Sequence, residues 1–142
     1  MKYLTSAFLT ACFAALLISC EPSNSDGKHH QNATHKVELN NGEKWEANPA
    51  TIEGIDKMLN LVTEFEENNR SDYEQLQAQL QKEFSLIFER CTMTGEAHNQ
   101  LHNYLAPLSK VLKKMEKGTA QEKENALKKL KNHLNSFNNF FK

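Results

Sequence analysis

The chain has 142 residues, one domain's worth, with 39% apolar and 25% charged residues, the balance of an ordinary soluble protein. A formal charge of −1 supplies no global field that would attract nucleic acid. Five Gly, three Pro and three Cys exclude a collagen-like chain and a disulfide-dense scaffold.

Residues 1–20 read MKYLTSAFLTACFAALLISC. Lys2 is the only charge before Glu21, and residues 4–18 are almost wholly apolar or small. That run is shorter than the roughly 20 apolar residues that cross a bilayer. A basic start, an apolar middle and a small-residue exit are the marks of a secretory signal, removed from the mature chain. The exit, Leu17-Ile18-Ser19-Cys20, resembles the lipobox of bacterial lipoproteins at all four positions. The resemblance implies cleavage after Ser19 and acylation of Cys20. It implies a bacterial cell-envelope protein on the periplasmic or surface side, held to a membrane by its lipid. Buried acyl carbons contribute about 0.8 kcal/mol each, so several chains anchor firmly. On this reading residues 1–19 are the signal peptide. The mature chain has 123 residues, with 16 Lys/Arg against 18 Asp/Glu, net −2. Cys12 is discarded and Cys20 is capped, which leaves Cys91 as the single thiol and rules out an internal disulfide.

Residues 20–35 are the lipidated tether, because EPSNSDGKHHQNATH has almost nothing to bury. His29, His30 and His35 are polar filler before they are a metal patch. Residues 36–48 read as an arm or short hairpin around Asn41-Gly42, a pair suited to a turn with two positive φ angles. Trp45, the only Trp, is expected to dock on the end of the domain.

Residues 49–142 are predicted to form four helices. The first follows Pro49, with Asn48 or Thr51 as cap, carries Ile52, Ile55, Leu59, Val62 and Phe65, and ends at Asn68-Asn69. The second opens with the capping-box pattern Ser71-Asp72-Tyr73-Glu74 and carries Tyr73, Leu76, Leu80, Phe84, Ile87 and Cys91. The third starts near Thr94-Gly95-Glu96 and carries Ala97, Leu101, Leu105, Leu108, Leu112 and Met115, with Pro107 as an expected kink. The fourth opens with a second capping box, Thr119-Ala120-Gln121-Glu122, and carries Leu127, Leu130, Leu134, Phe137 and Phe141. Short connections between amphipathic helices imply an all-α, up-down-up-down four-helix bundle. Residues 20–93 hold 14 acids and 7 bases, and residues 94–142 hold 4 acids and 9 bases, so the helical pairs are expected to attract each other.

One segment concentrates chemistry. Cys91, Met93, His98 and His102 fall within twelve residues spanning the second interhelical turn. His98 and His102, four apart, sit one above the other on the third helix. Thiolate, thioether and imidazole are copper ligands, and Cys with two His equally suits zinc, with Met93, Glu96 or water in the fourth position. The pattern Cys-x-Met-x-Gly-x-x-His-x-x-x-His resembles a segment that opens a helix in small helical envelope lipoproteins. That resemblance brings no activity with it. The bland alternative is a buried small Cys and two exposed His.

Other chemistry is thinly represented. Met58 on the first helix and His133 on the fourth are a candidate haem pair, without a Cys-x-x-Cys-His motif. The Glu-x-x-His repeats of a di-iron bundle are missing, and so are Gly-rich phosphate loops and nucleophile elbows. No catalytic residue is assigned and the chain is not expected to be an enzyme. Lys113, Lys114, Lys128, Lys129 and Lys131 form basic helix faces that are more often the solvated surface of a bundle, with contact to anionic lipid or polyanions as the alternative. The expected function is copper or zinc binding or trafficking by a lipid-anchored envelope protein. The rival is a non-catalytic lipoprotein that binds another envelope protein; nucleic acid is not an expected partner.

Overall fold

The computed structural model describes residues 36–68 and 70–142. The signal peptide, Cys20 and the tether with His29, His30 and His35 lie outside the described residues. Four helices follow in chain order: α1 (Pro49–Glu67), α2 (Tyr73–Glu89), α3 (Gly95–Lys117) and α4 (Ala120–Asn135). A single 3-10 turn, Phe137–Asn139, comes after them. α1 packs on α2, α2 on α3 and α3 on α4, and α4 closes the ring against α1. The connections are two to five residues long, so neighbours run antiparallel and the chain is an all-α, up-down-up-down four-helix bundle. No described helix is long and apolar enough to cross a membrane.

The 3.6-residue period explains which face each helix buries. Ile55, Met58, Val62 and Phe65 of α1 meet Leu76, Leu80, Phe84 and Ile87 of α2. Leu101, Tyr104, Leu105, Leu108, Leu112 and Met115 of α3 meet Leu127, Leu130 and Leu134 of α4. The centre of the α1 stripe is shifted from the expected one. Met58 is fully buried, while Ile52 and Leu59 flank it half-buried. Gly54 lets α1 approach α2 closely; a Cβ there would stand 2.5 Å from Ile87 Cγ1.

The helix ends differ in detail from the sequence patterns. Thr119 and Glu122 form the expected capping box, with the Thr119 amide on Glu122 Oε2 at 2.8 Å. At α2 the cap is Asp72, one residue later than expected, and its carboxylate accepts the Gln75 amide at 3.0 Å. Ser71 stays outside the helix. Asn48 occupies the cap position of α1 without capping an amide. Its Oδ1 accepts the Thr51 hydroxyl at 2.6 Å, and its Nδ2 donates to the Arg90 carbonyl at 3.1 Å, tying the start of α1 to the end of α2. Pro107 lies inside a continuous α3, where it withholds a donor from the Asn103 carbonyl.

Phe137 and Phe141 are buried as expected but not by helix α4, which ends at Asn135. The chain turns there, and the two rings stack with centroids 4.8 Å apart. The arm then pairs with this tail. The Trp45 amide donates to the Phe140 carbonyl at 2.8 Å, and the Lys142 amide donates to the Trp45 carbonyl at 2.9 Å. Asn41 and Gly42, with φ of 53° and 95°, form a tight turn closed by a single bridge between Asn40 and Glu43. The arm is therefore a turn and a pairing segment rather than a two-stranded hairpin.

The charge asymmetry of the two halves does little to dock them. Among the described residues one ion pair joins them within the bundle, Lys131 to Glu66; Lys142 to Glu46 joins tail and arm. The other two pairs lie within single helices. Exposed pairs of this kind contribute at most about 1 kcal/mol each, so apolar burial holds the bundle together.

Candidate functional site

Helix α2 ends at Glu89 because its C-cap, Arg90, leaves the helical line. Cys91 therefore lies just past the helix rather than in its last turn, half-buried against the core. Three residues after the Thr92 that follows it, Gly95 opens α3 with φ at +63°, a value that suits glycine. The sharp entry brings the first turn of α3 back over the end of α2. His98 thereby comes to stand beside Cys91, with Nδ1 3.5 Å from the sulfur.

His98 and His102 point the same way, one helical turn apart. Their Nε2 atoms are 2.9 Å apart and their rings are nearly perpendicular, at 78°. The three side chains thus form a line. His98 presents Nδ1 to the sulfur and Nε2 to the second imidazole. The two nitrogens sit on different edges of one ring, so sulfur and His102 do not meet at a shared point. Among the described residues no three His, Cys, Asp or Glu side chains gather as a metal cage.

Two nitrogens each about 2.0–2.1 Å from one ion, at angles between 90° and tetrahedral, stand roughly 2.9–3.4 Å apart. The two Nε2 atoms fit the lower end of that range. The same separation suits a hydrogen bond between a donor ring and an acceptor ring. His102 is exposed and His98 half-buried, so an ion would reach both from solvent. Partial desolvation of the ring first, and the neighbouring charge of His98 second, lower the His102 pKa from the usual imidazole value although much of its surface is open to solvent. A neutral imidazole is the ligand form.

The remaining candidates go elsewhere. Met93 packs half-buried against the core. The carboxylate of Glu96 accepts from Gln100 at 2.7 Å and from Asn99 at 3.1 Å; these bonds lower its pKa and hold it on another face of α3. Gln100 in turn accepts the Glu38 amide at 2.8 Å, so this carboxylate anchors the arm. Met58 is in the core and His133 bonds to the Tyr104 carbonyl at 2.8 Å, so neither is placed to hold haem. Sequence reasoning missed Phe88, which is 43% exposed and lies over His102 with centroids 5.6 Å apart. Its position one residue past the buried Ile87 was the available signal.

Comparison with protein-family models, curated proteins and solved structures finds no match for this chain.

Proposed function

We propose that this is a lipid-anchored bacterial envelope protein that binds a transition metal ion, copper in preference to zinc, between His98 and His102. The observation that carries the reading is the 2.9 Å approach of the two Nε2 atoms. Imidazole suits both metals, and copper(II) is bound more tightly than zinc by a given nitrogen site. Cys91 acts as an orienting partner: its contact with Nδ1 fixes the ring so that Nε2 faces outward, the role outer partners play at metal-bound histidines. Water completes the coordination. Such an open, two-imidazole site suits capture and release more than permanent retention, and no catalysis is assigned to it. The anchoring half of the proposal rests on the lipobox at Leu17-Ile18-Ser19-Cys20.

Calorimetric titration with zinc(II), and with copper(II) in the Cys91→Ser variant to avoid thiol oxidation, tests the site. The expected result is one ion per chain, lost in either His98→Ala or His102→Ala. Binding that survives both substitutions overturns the reading. A sulfur-to-copper charge-transfer band when wild type is loaded with copper(I) and then oxidised would make Cys91 a ligand instead of an orienting partner.

A further inference from the structure

Helix α3 carries a second chemical feature on the side away from its core. Lys110, Lys113, Lys114 and Lys117 recur at three- and four-residue spacing and form one stripe. Lys110 and Lys114, with Lys129 of α4, flank a shallow groove of about 230 Å³ between the two helices, floored by Val111 and Ala126. A second hollow of about 250 Å³ continues it along Lys113, Lys114 and Lys117. Among the described residues none of these five lysines makes an ion pair, whereas Lys128 and Lys131 do. One acid, Glu122, lines both hollows, and its carboxylate is directed at the Thr119 amide as part of the helix cap. The stripe runs about 10 Å along the helix, longer than a single small anion needs.

We propose that this lysine face docks on the anionic phospholipid headgroups of the membrane that holds the chain, a reading that rests on acylation at Cys20. The ammonium groups meet lipid phosphates, and the apolar floor accepts glycerol carbons. Reach does not prevent it. Sixteen residues, 20–35, precede Lys36 and can span at most about 50 Å. The arm meets α3 at Gln100, and Lys117 lies about 26 Å further along that helix. Tethering raises the local concentration of headgroups, so a weak surface attraction suffices to lay the bundle on its α3/α4 side. The acid-rich α1/α2 half then faces away from the membrane.

The test uses residues 21–142 without an acyl group; this segment keeps every core residue among the described residues, so the lysine face is read separately from the anchor. Co-sedimentation is measured with vesicles of phosphatidylcholine alone and of phosphatidylcholine mixed equally with phosphatidylglycerol. Binding is expected only to the mixed vesicles and is expected to fall with ionic strength. Replacing Lys110, Lys113, Lys114, Lys117 and Lys129 together by Gln should weaken it by about 25-fold or more, since each lysine near an anionic surface contributes roughly a fivefold gain and at least two of the five reach the headgroups. Lys44→Gln with Lys82→Gln, on other faces, should leave it unchanged, with equal helicity by circular dichroism in all variants. Equal binding to both vesicles, or full binding by the five-lysine variant, overturns the proposal. So does tighter binding of inorganic phosphate than of mixed vesicles at equal phosphate concentration and matched ionic strength, which would make the groove a soluble-anion site. Mass spectrometry finding an unacylated Cys20 removes the anchor alone and is read independently.

Discussion

Tyr104 and His133 are bonded to each other's backbones. The Tyr104 hydroxyl donates to the His133 carbonyl at 2.7 Å, while His133 Nε2 meets the Tyr104 carbonyl at 2.8 Å. Their rings overlap, with centroids 4.4 Å apart. This reciprocal pair locks α3 to the end of α4 at the level where the tail begins. The tyrosine is fully buried, and burial raises its pKa well above the usual phenol value of 10.0.

Tyr104→Phe should therefore have an effect that changes with pH. At neutral pH it removes one hydrogen bond and should cost about 0.5–1.5 kcal/mol; the His133 carbonyl keeps its bond from Ser136. Above pH 10 the unfolded tyrosine ionises while the folded one stays neutral, so the unfolded state binds fewer protons and wild-type stability falls. At pH 11 the loss is about 1.4 kcal/mol. The Tyr104→Phe variant has no phenol to ionise and escapes that loss, so the gap between the two proteins should close. Urea midpoints at pH 7 and pH 11 measure it; a gap independent of pH would show that Tyr104 ionises normally.

Gly54→Ala should destabilise despite alanine's better helix propensity. The propensity gain is about 1 kcal/mol. Against it stands a Cβ 2.5 Å from Ile87 Cγ1, a stiff, β-branched side chain with 1% exposure. Overpacking of this kind typically costs about 1–3 kcal/mol, so a small net loss is expected. Adding Ile87→Ala should reverse the sign of the Gly54→Ala effect. A double-mutant cycle by denaturant unfolding reads the coupling directly.

The helices were legible because each repeats apolar residues at three- and four-residue spacing over several turns. Thr119 and Glu122 were legible as a cap because both halves of that motif are local. What escaped depended on partners far along the chain. Asn48 looked like a cap but turns its amide to Arg90, 42 residues on. Tyr104 stood outside the expected α3 stripe, yet its hydroxyl finds a carbonyl 29 residues away, which offsets the cost of burying it. The tail pairs with Trp45 through backbone atoms, which leave no trace in side-chain pattern. At the site, the spacing of His98 and His102 put both imidazoles on one side of α3. It could not show that Cys91 would meet the opposite edge of the His98 ring, because that depends on the φ of Gly95 and the helix end at Glu89.

Phe141→Ala should be among the costliest substitutions in the chain. Phe141 is fully buried, stacks on Phe137 and lies 5.9 Å from Tyr104, centroid to centroid. Truncating such a ring typically costs about 3–5 kcal/mol. The loss should also free the arm, since the Trp45 pairing is made by the residues on either side of Phe141. Because Trp45 is the only tryptophan, its fluorescence should shift to the red before the helices melt. A red shift coincident with helix loss would mean that arm and bundle unfold as one unit.

His102 is held below its ordinary value of 6.5, chiefly by partial desolvation of the ring and then by the charge of His98. A lowered pKa means that the unfolded state takes the proton first, so this group favours folding above about pH 6.5 and that advantage is lost as pH falls through the folded value. Metal affinity should move in the same direction, because ion and proton compete for the same nitrogen. His98→Ala removes both the neighbouring charge and a ring that packs on His102, with centroids 4.4 Å apart, so the His102 pKa should rise toward its ordinary value. Proton NMR of the ring C–H signals, followed from acid to neutral pH, reads this in both proteins. Zinc binding by the wild type should fade over the range in which His102 takes up its proton; affinity that stays level through that titration would separate the metal from His102.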